Sequence, residues 1–132
     1  MNVKELFATS EDLERGGVWI DYGTFRVKVA YAGGANRRYT KRMEEVTRPH
    51  RRAILNDAFS KEQQLELVKQ VVADTVLLAW EGVEDDGQPV PFSPQAALAL
   101  FTKYEKFFED VMQQAQSFAN FREEERAAEA KN

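Results

Sequence analysis

Hydrophobic positions change their spacing along this chain, and each change marks an element. Phe25, Val27, Val29 and Tyr31 alternate with Arg26, Lys28 and Ala30, the two-residue period of a strand with one buried face. A second β-rich run, Val18-Trp19-Ile20-Asp21-Tyr22, precedes it across Gly23-Thr24. The pair predicts a β-hairpin. A lone hairpin is marginal in water, so its apolar face needs helices to rest on. Upstream, residues 1–15 read as a lead-in, helical or irregular, in which Thr9 or Ser10 can cap a short turn over Glu11–Arg15 before Gly16-Gly17 ends it.

Beyond Gly33-Gly34 the period lengthens. Asn36 is placed to cap a helix reaching about Thr47, with Tyr39, Met43 and Val46 on one face. Pro49 interrupts it, and 51–59 predicts a further short helix or turn. Ser60 and Gln63 make a capping box. The helix it opens keeps an apolar face from Leu65 through Val68, Val71, Val72 and Val76 to Trp80. Trp80–Phe92 carries Gly82, Gly87, Pro89 and Pro91 and reads as a loop. Ser93-Pro94 restarts a helix, with Ser as N-cap and Pro at the first position, where its missing N–H costs nothing. From Ala97 to Ala119 apolar residues recur at helical spacing, as one long helix or two with a bend near Lys103–Lys106. Residues 122–132 are charged and Ala-rich and predict a frayed tail. The expected fold is a single α+β domain over 1–132, mainly helical. It is an N-terminal hairpin packed on about four or five helices, ending in a long aromatic-rich one.

Composition narrows the chemistry. A chain of 132 residues with 43% hydrophobic content suits one domain with a core. Zero Cys removes disulfides, thiolate zinc sites and thiol nucleophiles, and one His removes two-His metal sites. No apolar run approaches the roughly 18 residues of a membrane span, and Met1–Phe7 lacks the layout of a secretory signal. His50 stands among arginines without a paired acid or nucleophile. Glu84-Asp85-Asp86-Gly87 hints at a calcium loop, but the alternate positions that should carry oxygen ligands fall on Gly, Gln, Pro and Val. The glycines fit neither a phosphate loop nor a dinucleotide fingerprint. No catalytic residue, metal or cofactor is expected.

The net charge of −4 conceals an asymmetry. From Arg26 to Arg52 nine basic residues face only Glu44 and Glu45, a net of +7, and the rest of the chain carries −11. Within that stretch Arg37, Arg38, Lys41, Arg42, Arg48, Arg51 and Arg52 can line one side of consecutive helices. Three uses fit: a nucleic-acid face, a site for an acidic protein partner, or a solvated face whose cations pair with the acidic C-terminal part. A pI near 5.1 works against approach to phosphates. The stripe holding Phe101, Tyr104, Phe108 and Phe118 has more rings than a small hairpin can cover, so part of it is a candidate apolar interface. Trp19 and Trp80, each near glycine, are expected in the core.

The segment Leu77–Ser93, with Trp80, Gly82, Asp86-Gly87 and Pro91-Phe92-Ser93 in that order, resembles the central motif of tail assembly chaperones of long-tailed (siphovirus-type) bacteriophages and prophages. Gly17–Tyr22 with the strand after it, Asn36-Arg37-Arg38-Tyr39 and Phe118–Glu125 are similar to other pieces of that family, in the same order over residues 16–125. The resemblance implies a non-enzymatic factor in the host bacterial cytoplasm. Such a factor binds the tape measure protein before the tail tube forms around it and is absent from the finished virion. The tail tube protein would be a further partner, directly or through a longer frameshifted product. Ala130-Lys131-Asn132 is compatible with a slippery codon run for such a shift, which would make this chain the short product. A homo-oligomer is compatible with the resemblance, and membrane contact is not expected. The motif residues Trp80, Gly82, Asp86, Gly87, Pro91 and Phe92 would chiefly fix a loop between helices. The alternatives from the residues themselves are a small nucleic-acid-binding regulator using Arg37–Arg52 and a structural tail or head-completion subunit.

Overall fold

In a computed structural model that describes residues 2–123, the alternating segments form the hairpin their period predicts. Strand β1 (Val18–Asp21) pairs antiparallel with β2 (Arg26–Val29), Val18 opposite Val29 and Ile20 opposite Val27. The sheet has a third member. Strand β3 (Leu77–Glu81) lies on the other edge of β2, with Val27 opposite Trp80. The helix expected to run to Trp80 therefore stops at Thr75. Thr75-Val76-Leu77 satisfies a helical and an extended period alike, and tertiary demand decides between them. Fully buried Val27 and Val29 leave β2 with backbone groups that need a second ladder. Pairing with β3 satisfies them, and β-branched Val76 and the residues after it yield the helix at little cost.

Seven α-helical segments flank the sheet among the described residues: α1 (Val3–Phe7), α2 (Glu11–Gly16), α3 (Arg37–Thr47), α4 (Arg51–Leu55), α5 (Lys61–Thr75), α6 (Pro94–Lys103) and α7 (Glu105–Gln116). The caps are the ones the residues announce. The side chains of Ser10, Asn36, Ser60 and Ser93 each accept a hydrogen bond from a backbone N–H of the first turn, and Gln63 completes the box at Ser60. The C-terminal aromatic segment is two helices rather than one. Tyr104, at φ −123° and ψ 85°, ends α6 and begins α7. The break folds Phe107 and Phe108 back to ring-centroid distances of 5.5 and 5.3 Å from Phe101.

The core lies between the inner sheet face and α5, α6 and α7, built on Val27, Val29, Val72, Leu77, Phe101 and Val111. The second half of the expected lead-in is tied into it, while α1 buries no residue. Leu13 is buried, the Ser10 N–H donates to the Phe121 carbonyl at 2.7 Å, and the Tyr31 N–H donates to the Glu14 carbonyl at 2.9 Å. Arg122 is bridged to Thr9. The rest of the expected frayed tail, residues 124–132, lies outside the described residues. Helices α3 and α5 pack along one another, yet α3 and α4 bury no residue and α5 buries only positions from Lys69 onward. Their outer part forms an arm beyond the main core. It closes on its own small contact, where buried Phe59 meets the His50 ring at 4.8 Å.

Candidate functional site

The expected loop Trp80–Phe92 is an ordered unit with a small hairpin of its own, β4 (Glu84–Asp85) against β5 (Gln88–Pro89). Asp86 and Gly87 form its two-residue turn at φ +51° and +75°, the doubly left-handed geometry for which Asp-Gly is suited. Gly82 sits at φ +78°, and a Cβ there would lie 3.1 Å from the Thr24 carbonyl oxygen. Trp80, buried at the end of β3, donates its indole N–H to the Val90 carbonyl at 2.7 Å, and Phe92 meets its ring edge-on at 5.0 Å. Pro91 is exposed beside them.

Asp85, considered in the sequence only within the calcium-loop match that fails, fastens this hairpin to the α6–α7 break. Its carboxylate accepts from Lys103 Nζ at 2.8 Å and from the Tyr104 hydroxyl. These hydrogen bonds, Lys103 first and Tyr104 second, hold the Asp85 carboxyl below its ordinary range and raise Lys103. The motif segment thus leads from strand β3 to α6, rather than joining two helices as expected.

The basic stretch divides in two. Arg38 donates to the Asp74 carbonyl at 3.2 Å, Arg42 reaches the Asp74 carboxylate at 3.2 Å and Glu45 at 3.4 Å, and Arg48 pairs with Glu44 at 3.2 Å. Its cations therefore meet acceptors on α3 and α5 rather than the acidic C-terminal part, because α3 lies along α5. Arg37, Lys41, Arg51 and Arg52 are exposed, with no such partner among the described residues.

The aromatic stripe also divides. Phe101 at 0% and Phe108 at 4% exposure belong to the core, so they form no free interface. Helical spacing alone does not tell a stripe facing a sheet from one facing solvent. Tyr104 and Phe118 remain 42% and 38% exposed. Phe118 stacks on Phe7 at 5.1 Å, and Phe7 and Val3 of α1 extend this exposed apolar patch. A second exposed group, Ile54 and Leu55 with Leu65, lies on the arm. Neither Phe7 nor Leu55 drew notice in the sequence, since single apolar residues in short segments carry no period. Trp80 is in the core as expected, whereas Trp19 is half-buried under the Arg26 guanidinium at 4.0 Å.

Among the described residues no group of three or more His, Asp or Glu is placed to hold a metal ion, and no helix is long and apolar enough to cross a membrane. Comparison with curated proteins and with solved structures gave no match. A family model does match, over residues 34–132, from the glycine before α3 through the braced loop to the end of the sequence. With well over half of its length so matched, the chain belongs to the YdaY prophage protein family.

Proposed function

We propose that this prophage protein is a tail assembly chaperone. It binds the tape measure protein without catalysis, keeps it soluble until the tail tube forms around it, and leaves before the virion is complete. The carrying observation is an overlap. The prophage family match at residues 34–132 contains the whole Leu77–Ser93 segment by which the sequence resembles such chaperones. The geometry suits a protein that holds another. Exposed apolar groups at Phe7–Phe118 and at Ile54–Leu55 sit on ordered helical segments, where reversible contact with the apolar faces of a helical client is favourable. A nucleic-acid reading is weakened because Arg38, Arg42 and Arg48 are already engaged within the chain.

Co-expression with the tape measure protein of the same prophage is the test. A soluble complex that co-purifies is the expected result, and a tape measure protein left equally insoluble overturns the reading. Mass spectrometry of purified particles separates the remaining alternative, since a chain retained in the virion is a structural subunit.

A further inference from the structure

We propose that the outer end of the α3–α5 arm is a docking surface for an acidic amphipathic helix of a partner protein. The proposal rests on the reading that this chain holds another protein. One turn of α4 presents both halves of such a surface. Arg51 lies three and four residues before Ile54 and Leu55, and Arg52 lies three before Leu55. Arg51 and Arg52 are exposed without a partner among the described residues, while Ile54 is 38% and Leu55 78% exposed. Residues three and four apart share a helix face, so cation and aliphatic group meet a partner together.

The surface is preorganised. The N–H of Asn56 donates to the Arg52 carbonyl at 3.0 Å and that of Ala58 to the Ala53 carbonyl at 2.8 Å. Phe59 is buried beneath, and the Gln64 side chain donates to its carbonyl at 3.1 Å. A Leu held three-quarters exposed on so fixed a turn loses little further freedom when a partner covers it.

Charge selects the occupant. Between Arg37 and Phe59, Arg38, Arg42 and Arg48 are engaged and Glu44 and Glu45 are paired, so Arg37, Lys41, Arg51 and Arg52, without a partner among the described residues, stand against Asp57 alone. Aliphatic Ile54 and Leu55 offer bases nothing to stack on, and of the two rings at this end Phe59 is buried and half-buried His50 lies against it. A helix with leucines at positions i, i+3, i+4 and i+7, flanked by glutamates, meets both demands.

The test uses the full chain and a fluorescent synthetic peptide of that pattern, roughly 18 residues long so that it holds a helix. Its twin carries Lys in place of Glu. The native chain is expected to bind the Glu peptide, and Arg51→Glu with Arg52→Glu to weaken it about tenfold or more while gaining the Lys peptide. Leu55→Ser is expected to weaken both pairings. All these positions are exposed, so circular dichroism and melting should remain unchanged. Equal binding of the Glu peptide by every variant overturns the proposal. Duplex DNA displacing the peptide from Arg51 and Arg52 overturns it in favour of nucleic acid. Loss of self-association in the charge-reversed chain overturns it in favour of a second copy. If the tape measure is held but the peptide is not, the docking surface alone fails; if the peptide binds but the tape measure is not held, the chaperone reading alone fails.

Discussion

The indole N–H of Trp80 donates to the carbonyl of Val90 at 2.7 Å across the base of the β4–β5 hairpin. One end of this bond is on the strand that completes the sheet and the other is on the segment leading into α6, so it joins the core to the motif loop. The chemistry explains why a tryptophan stands there. No other apolar ring combines that much buried surface with a donor.

Replacing that donor isolates its contribution. Trp80→Phe keeps a ring against Phe92 but leaves the Val90 carbonyl without its partner. A loss of about 1–2 kcal/mol in urea unfolding is expected. An unchanged midpoint would mean that the indole packs but does not fasten the hairpin.

A second link joins α5 to α7. Lys69, with only 8% of its side chain exposed, pairs with Glu105 at 2.6 Å. Breaking such a pair from one side leaves a buried charge, whereas replacing the charge by an apolar group of similar size removes the problem. Glu105→Ala is expected to cost about 1–3 kcal/mol, less than for a fully buried pair because Glu105 is 45% exposed. Lys69→Met should lie within about 1 kcal/mol of the native chain. Chemical denaturation of both variants decides, and the opposite order of stability would refute the argument.

The elements that short-range chemistry determines were legible in advance. A capping side chain and the groups it satisfies lie within three residues, which is why the starts at Asn36, Ser60 and Ser93 could be placed and the first narrowed to Thr9 or Ser10. Strand β3 could not be placed that way. Its partner Val27 is fifty-odd residues away in sequence, and nothing local distinguishes Leu77–Trp80 as a strand from one more helical turn. The break at Tyr104 was visible only as one of two options, because it carries neither Gly nor Pro.

The candidate surfaces followed the same division. The motif residues Trp80, Asp86 and Gly87 were readable through the family resemblance, and turn chemistry accounts for Asp86 and Gly87 alone, which both adopt positive φ. Which of the seven cations are free was not, since the answer depends on where α5 places Asp74 relative to Arg38 and Arg42. Phe101 and Phe108 had to be seen against the sheet before they could be assigned to the core.

The adjacent glycines at the C-terminal end of α2 make a paired test. Gly17 is at φ +88°, and a Cβ there would stand 2.9 Å from Leu78 Cδ1 and 3.0 Å from the Val29 carbonyl oxygen. Gly17→Ala is expected to destabilise by about 1–3 kcal/mol through backbone strain and this crowding. Gly16, the last residue of α2, has open space around its Cα. Gly16→Ala should be neutral or up to about 1 kcal/mol stabilising, because it restricts the unfolded chain. Thermal melting of the two variants checks the pair, and equal effects would show that neither space nor φ is decisive.

Acid sensitivity should localise to the bracket between Asp85 and the α6–α7 break. The Asp85 carboxyl is held below its ordinary value of 3.8, chiefly by its hydrogen bond from Lys103 and then by that from Tyr104. A depressed folded-state value means the ionised form is favoured in the folded chain. The contribution is complete above the ordinary carboxylate value and is lost as pH falls through the lower, folded one. Lys103 and Tyr104 are both raised from their ordinary values, so their share is present at neutral pH and lost only as pH rises through their raised values. The native chain is therefore expected to melt above Asp85→Asn at neutral pH, and the gap should close as pH falls below 3.8. Solvent screening keeps the gap small, because the partners Lys103 and Tyr104 are exposed. The Arg26–Glu81 pair, whose carboxylate is lowered by its own hydrogen bond, is common to both proteins and cancels in the difference. Melting curves of both chains across the acid range measure that difference directly. A gap unchanged from neutral to strongly acid solution would show that Asp85 holds the hairpin by shape rather than by charge.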